Sequence, residues 1–188
     1  MLTEYEKRAG LNNVLEHWDY VPELDQSYNA GQPMTISLRP YRANDQEFLF
    51  TLYASTRLHE IAPFGWPEAQ QQAFLRMQFK AQQSWYAMTY AQAEHQIIEL
   101  DGIAIGRMMV LRQQPAAVLV DIALLPQHRG KGIGGDLLRD LIQQCDQAKL
   151  PLHLQVLKTN PAMRLYERLG FIRTGEDQMY IQMERQPR

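Results

Sequence analysis

The sequence predicts a mixed α/β fold, a mixed central sheet flanked by helices on both faces. Three observations point to it. Helical and strand-like patterns follow the order β-αα-βββ-α-β-α-ββ. The run Ala116–Leu125 is almost wholly apolar, as a central strand covered on both faces must be. A glycine-rich turn follows that run directly and opens an amphipathic helix.

In chain order, residues 1–33 stand apart. Leu11, Val14, Leu15 and Trp18 have helical spacing, and the polar stretch Asp25–Pro33 after them reads as a linker. The segment is expected to be an extension to a domain over residues 34–188. Met34–Leu38 alternates as a strand that Arg39-Pro40 ends. Asp45 is placed to cap a helix with Phe48, Leu49, Leu52 and Tyr53 on its apolar face. The loop Pro63-Phe64-Gly65-Trp66 leads to a second helix from about Pro67 to about Gln83, proline being suited to a first helical turn. Its glutamines resemble low complexity, but Ala69, Ala73, Leu75, Met77 and Phe79 make an ordinary amphipathic pattern.

Gln96–Leu100 and Ile103–Leu111 are β-rich and separated by Asp101-Gly102, the dipeptide favoured in a two-residue type I′ hairpin. After the apolar run, Ile133, Leu137, Leu138, Leu141, Ile142 and Cys145 mark the buried face of the next helix. Pro151–Leu157 is a strand. Asn160–Leu169 is a short helix, with Asn160 as its cap and Gly170 as its left-handed terminator. Phe171–Thr174 and Met179–Met183 close the sheet.

Composition narrows the range of functions. The chain has 188 residues, 45% hydrophobic and 21% charged, with a formal charge of -2 and one cysteine. A disulfide-stapled mini-protein is excluded, because Cys145 has no partner in the chain. Average apolar content and small net charge do not fit a disordered chain. The near-neutral balance argues against a nucleic-acid partner. No apolar run approaches the ~20 residues that span a bilayer, and the longest, around Val118–Leu125, is broken by Asp121. The N-terminal MLTEYEKRAG has no apolar core of a secretory signal; with a lone thiol, this predicts a cytoplasmic protein. The histidines His17, His59, His95, His128 and His153 lack metal-ligand spacing, so no metal is expected. Arg164, Arg168 and Arg173 read as a solvated helix face and strand end.

The segment Leu124-Leu125-Pro126-Gln127-His128-Arg129-Gly130-Lys131-Gly132-Ile133-Gly134-Gly135 joins the apolar strand to the helix. Its glycines fall where backbone N–H groups at a helix N-terminus are unpaired and the macrodipole is positive. Glycine also lets an anion reach that backbone without a Cβ in the way, so phosphate binding is the expected use. A P-loop would need serine or threonine after Lys131, where Gly132 stands. Gly130, Gly132 and Gly135 meet the spacing of a dinucleotide fingerprint, but they come late in the chain, after an antiparallel hairpin. Arg129, Gly132 and Gly134 fill a third pattern, R-x-x-G-x-G.

That loop, the strand ending in Leu124-Leu125-Pro126, and the later block Asn160-Pro161-Ala162-Met163-Arg164-Leu165-Tyr166-Glu167-Arg168-Leu169-Gly170-Phe171 together resemble the GNAT superfamily of acyl-CoA-dependent N-acyltransferases. The likeness covers roughly Ile36 to Met183. It implies the GNAT fold, with splayed central strands, and an N-acetyltransferase that uses acetyl-CoA as co-substrate. It implies further that backbone groups of Ile122, Ala123 and Leu124 pair with the pantetheine arm. Gly130, Lys131, Gly132, Ile133, Gly134 and Gly135 would hold the pyrophosphate, with Arg129 at its edge. Asn160 would contact the arm and Tyr166 would lie near the thioester sulfur. In many relatives the asparagine lies one residue further from the tyrosine than Asn160 does. Read from the residues alone, Ala162, Leu165, Tyr166 and Leu169 form one apolar stripe, which leaves Tyr166 as either a core or a catalytic aromatic.

Acyl transfer to nitrogen needs a neutral amine, and an alkylamine of pKa ~10 is neutral in only about one part in a thousand at pH 7. A base or a desolvated site must therefore help, and Asp121 and Glu60 are the two candidate bases. The leaving thiolate needs a donor, for which Tyr166 is suited as general acid. Cys145 lies on a core face without an adjacent base, so direct transfer is expected over a covalent enzyme intermediate. His59, Glu60, Phe64 and Trp66 sit where relatives bind the acceptor. That acceptor is expected to be a primary amine of a small molecule or protein, with no membrane partner and a monomeric or homodimeric enzyme. Two alternatives stay open: a non-catalytic acyl-CoA-binding or protein-interaction module on the same scaffold, and an acyltransferase using a longer acyl group.

Overall fold

The computed structural model describes residues 35–188, so the expected extension over residues 1–33 lies outside the described residues. Strand β1 (Ile36–Pro40) leads through a short 3-10 turn to helices α1 (Gln46–Ile61) and α2 (Glu68–Thr89). The meander β2 (Glu94–Leu100), β3 (Ile103–Leu111) and β4 (Ala117–Leu124) follows, then α3 (Ile133–Gln147), β5 (Leu152–Leu157), α4 (Met163–Arg168), β6 (Ile172–Glu176) and β7 (Tyr180–Arg185). The order is the one the sequence predicts. The strands form one seven-stranded sheet, β1-β2-β3-β4-β5-β7-β6, in which only β4 and β5 are parallel neighbours. Asp101 and Gly102 both have positive φ, 51° and 82°, as a type I′ hairpin requires.

Several boundaries move, each for a local reason. β1 runs through Pro40 because it is an edge strand, where a missing N–H costs no ladder bond. Pro67 is the N-cap of α2 rather than its first helical residue. α2 extends six residues beyond Gln83, and its last turns are anchored by the buried Tyr86. Asp45 occupies the N-cap of α1, but its carboxylate accepts from Arg39 at 2.7 and 2.8 Å and from Arg42 N–H at 2.7 Å, which holds its pKa below the usual carboxylate range. The helix after Asn160 begins only at Met163. Asn160 still caps the turn before it, its Oδ1 accepting from Ala162 N–H at 2.9 Å.

Helices cover both faces of the sheet. On one face, α3 and α4 bury Leu137, Leu138, Leu141, Cys145 and Tyr166 against Ile98, Met108, Val110 and Leu119. On the other, α1 and α2 bury Leu49, Leu52, Leu75 and Phe79 against Ile97 and Leu125. A side chain buried as fully as Leu138, 1% exposed, contributes roughly 2 kcal/mol of transfer free energy.

Two features of β4 position the site. The strand pairs with β5 over only three residues, Ala117↔Leu152, Val118↔His153 and Leu119↔Leu154, after which β5 continues on β7 alone. A gap therefore opens beside Val120–Leu124. Against β3, Val110 pairs with Leu119 while Met109 pairs with Asp121, so Val120 is the extra residue of a bulge. The bulge switches faces. Leu119 points into the α3/α4 core, but Asp121 and Ala123 share the α1/α2 face with Met109 and Arg107.

Candidate active site

The gap beside β4 is the floor of a cleft of about 1580 Å³. One wall comes from the glycine loop, the first turn of α3, and α4 with the residues before it. The other comes from the C-terminal half of α1, the C-terminal half of α2, and Arg107.

In the first wall, Gly130 and Gly132 take positive φ, 71° and 88°, and Gly132 is the N-cap of α3. The first ladder bond of that cap runs from Asp136 N–H to Gly132 O at 3.0 Å, so the N–H groups of Ile133, Gly134 and Gly135 precede any intrahelical partner. A Cβ on Gly130 would meet nothing within 4 Å, and one on Gly134 would meet only Leu124 Cδ1, at 3.9 Å. Bare glycines thus keep open the space above unpaired donors, which fits an anionic group. Arg129 donates from Nε to Leu124 O at 2.7 Å and from Nη2 to Ser55 Oγ at 3.4 Å. Among the described residues no carboxylate pairs with it. Lys131 is exposed and does not line the cleft.

On the floor, Leu125 N–H donates to Ile105 O at 2.9 Å. By strand alternation Ala123 also spends its backbone groups on β3, opposite Arg107, while Ile122 and Leu124 turn theirs toward the gap. Of the three residues expected to offer backbone groups there, two are so oriented. Asn160 lines the cleft with its carbonyl engaged in the α4 turn.

Tyr166 on α4 lines the cleft at 7% exposure, edge-on to Phe171 with ring centroids 5.8 Å apart. Burial, and then the negative charge of Asp121, push its phenol up to about 12. It therefore stays protonated across the physiological range. Cys145 is buried away from the cleft and its thiol is pushed up by burial, opposite to what a nucleophile needs.

Asp121 does not stand alone. Its carboxylate accepts from Arg107 Nη2, and that arginine is 4% exposed. Arg107 lies over the Tyr86 ring with Cζ 5.3 Å from the centroid, and its Nη2 also reaches Gln82 Oε1 at 3.4 Å. Its Nε and Nη1 are buried without a hydrogen-bond partner among the described residues. The Tyr86 phenol is raised by burial first and by Asp121 second. His95, stacked on Tyr41 at 4.6 Å, is pushed down to about 4 by burial and by Arg107. Arg107, Tyr86 and Gln82 escaped the sequence reading. A signal existed in two isolated charges of opposite sign, Arg107 and Asp121, each set in an apolar strand run.

Glu60 lines the cleft and accepts from Arg57 Nη1 at 2.9 Å; His59 lines it as well. Phe64 and Trp66 do not. The turn at Ala62–Phe64 ends on left-handed Gly65, leaving Phe64 59% exposed against Trp66, which packs edge-on to Phe74 at 5.2 Å. His153 pairs with Glu184 at 3.4 Å, away from the cleft.

Comparisons with known proteins agree with this architecture. A family model described as the acetyltransferase (GNAT) family matches residues 55–171. A Bacillus subtilis protein named as a ribosomal-protein-alanine N-acetyltransferase is 31% identical over 81 residues, 42% of this chain; the chain spans about half of that relative, 53%. Among solved structures, the PaiA N-acetyltransferase of Thermoplasma acidophilum, in complex with coenzyme A, superposes with a TM-score of 0.63 at 19% identity, over 81% of this chain and 99% of the other. The ribosomal-protein-alanine N-acetyltransferase of Escherichia coli gives 0.55 at 18% identity, over 81% and 94%. These two structural likenesses concern the fold. The family model spans the glycine loop, the gap beside β4 and Tyr166, and on that match the chain belongs to the GNAT acetyltransferase family.

Proposed function

We propose that this GNAT acetyltransferase transfers an acetyl group from acetyl-CoA directly to a primary amine of a small molecule or protein. The observation that carries the reading is the placement of Tyr166, buried and protonated, with Asp121 along one open strand edge. The ribosomal-protein-alanine acetyltransferases among the similar proteins are consistent with an amine acceptor.

Bound acetyl-CoA supplies an activated acyl thioester. The N–H groups of Ile133, Gly134 and Gly135 and the Arg129 guanidinium are placed to bind its phosphates, and Ile122 and Leu124 present a strand edge to its arm. Asp121 accepts a hydrogen bond from the incoming amine and receives a proton from its nitrogen as the N–C bond forms and that nitrogen becomes acidic, while Arg107 fixes the orientation of the carboxylate. Glu60 is the second acid within the cleft. The Tyr166 hydroxyl donates to the departing sulfur. A thiol titrates near ~8.5, so full proton donation from a phenol near 12 is uphill by roughly three to four pKa units. The contribution of Tyr166 is thus a hydrogen bond that strengthens as thiolate charge develops.

The test joins thermal shift with turnover. Acetyl-CoA at about a hundred times its Kd should stabilise the fold by ~2.7 kcal/mol, or roughly 5 to 10 °C for a domain of this size. Thiol release should then appear with at least one primary amine. Binding without turnover on any amine in a broad panel overturns the transfer reading.

A further inference from the structure

We infer that the acceptor is a monoamine whose body beyond the amino group is uncharged and aromatic or apolar, and is not a polyamine. The inference rests on the acetyl-transfer reading and specifies its second substrate.

Charge at the cleft carries it first. Among the described residues, the acids that line the cleft are Glu60 and Asp121, and each is paired to an arginine that also lines it, Arg57 and Arg107. The other lining cations, Arg129, Arg139 and Arg168, lie on the wall of the glycine loop, α3 and α4. The acceptor wall is therefore electrically balanced and has no unpaired carboxylate to receive a second ammonium. Hydrogen-bonding capacity gives the same answer independently. The buried unpartnered atoms at this wall include Arg107 Nε and Nη1, which can only donate. An ammonium also only donates, so beyond the first amino group, which Asp121 can serve with its remaining lone pairs, a second one would meet donors.

What the wall does offer is aromatic surface. Trp85, Tyr86 and Tyr90 line the cleft in mutual contact, with Trp85 centroids 5.5 Å from Tyr86 and 5.3 Å from Tyr90, and Tyr53 and Tyr180 line it as well. Trp85 is 49% exposed, a large ring face left to solvent at a binding cleft. Such rings bury an apolar or aromatic body, and the Tyr86 ring already carries the Arg107 guanidinium as its cation. The same chemistry is found in a small arylalkylamine and in a polypeptide N-terminus with an aromatic first residue.

The experiment measures kcat/KM by thiol release with acetyl-CoA on 2-phenylethylamine, on a Phe-Gly-Gly amide and on spermidine. The native enzyme is expected to prefer one of the two aromatic monoamines over spermidine by at least about tenfold. Whichever of the two is faster identifies the source. Trp85→Ala should reduce that preference. Arg57→Gln, which leaves Glu60 without its counter-cation, should raise spermidine turnover relative to the aromatic amine by several-fold. Spermidine used as well as or better than both monoamines overturns the class while leaving acetyl transfer standing. An unmoved ratio in both variants also overturns it. No turnover of any amine despite acetyl-CoA binding overturns acetyl transfer and the class together.

Discussion

At the residue scale, Tyr166 and His95 owe their protonation states to burial, and each makes a measurable prediction. Tyr166→Phe keeps the ring packing on Phe171 and removes only the hydroxyl, so kcat should fall by about 10² to 10⁴ with acetyl-CoA affinity nearly unchanged. Because the phenol lies near 12, the native pH profile should have no alkaline limb below about pH 11 that the phenylalanine variant abolishes. His95 acts on stability instead. Its folded value near 4 lies below the ordinary 6.5, so between those pH values the unfolded chain binds the extra proton and stability falls as pH falls. The effect reaches up to roughly 3 kcal/mol at the bottom of the window and vanishes above it. Thermal melts from pH 7 to pH 4 should show a shallower loss in His95→Gln; an identical slope would refute the assignment. Tyr166, the glycines and Asn160 were legible because helix caps and stripes leave local spacing signals. The Arg107–Asp121 pair was not, because it joins residues fourteen apart in the chain through sheet register.

At the element scale, the approach of β3 to β4 depends on Gly106, and the glycine loop depends on space rather than on contact. A Cβ at Gly106 would lie 2.4 Å from Ala123 O, so Gly106→Ala must push the backbones apart. It should lower stability by about 1 to 3 kcal/mol, read as a drop in Tm, and should also widen the floor on which Asp121 sits. Gly134→Val is the opposite case. The helix has room for the side chain, so Tm should change little, while acetyl-CoA affinity should fall at least about tenfold as the donors of the first turn are covered. Retained affinity would remove phosphate binding from this turn. Helix and strand types were readable from periodicity. The end of α2 was not, because Ser84–Thr89 has no sharp stop and its extent is decided by packing of Tyr86 over Arg107.

At the scale of the whole molecule, β1–β4 and β5–β7–β6 are two antiparallel blocks joined in the sheet by three residue pairs. Amides of Ile122 and Leu124, facing the gap, should exchange with solvent faster than those of Ala123 and Leu125, which face β3. Acetyl-CoA should slow Ile122 and Leu124 selectively in hydrogen-exchange mass spectrometry or NMR; uniform protection would argue against strand-like docking in the gap. The element order and the mixed sheet were legible from the sequence because they follow from hydrophobic patterning. The bulge was hidden, because Ala116–Leu125 is apolar on both faces and carries no alternation to interrupt except at Asp121. That extra residue has a further consequence for how the protein tolerates change. β4 runs in two phases, and Val120 is the point where odd-numbered side chains pass from one helical layer to the other. Deleting Val120 would remove the bulge and set the consecutive residues Leu119 and Asp121 opposite the consecutive residues Val110 and Met109, so the Asp121 carboxylate would keep its face. The strand has one position where a residue can be lost without changing phase, and a deletion scan along β4 should find loss of Val120 milder than loss of Ile122, which would put Ala123 and Leu124 out of phase with β3.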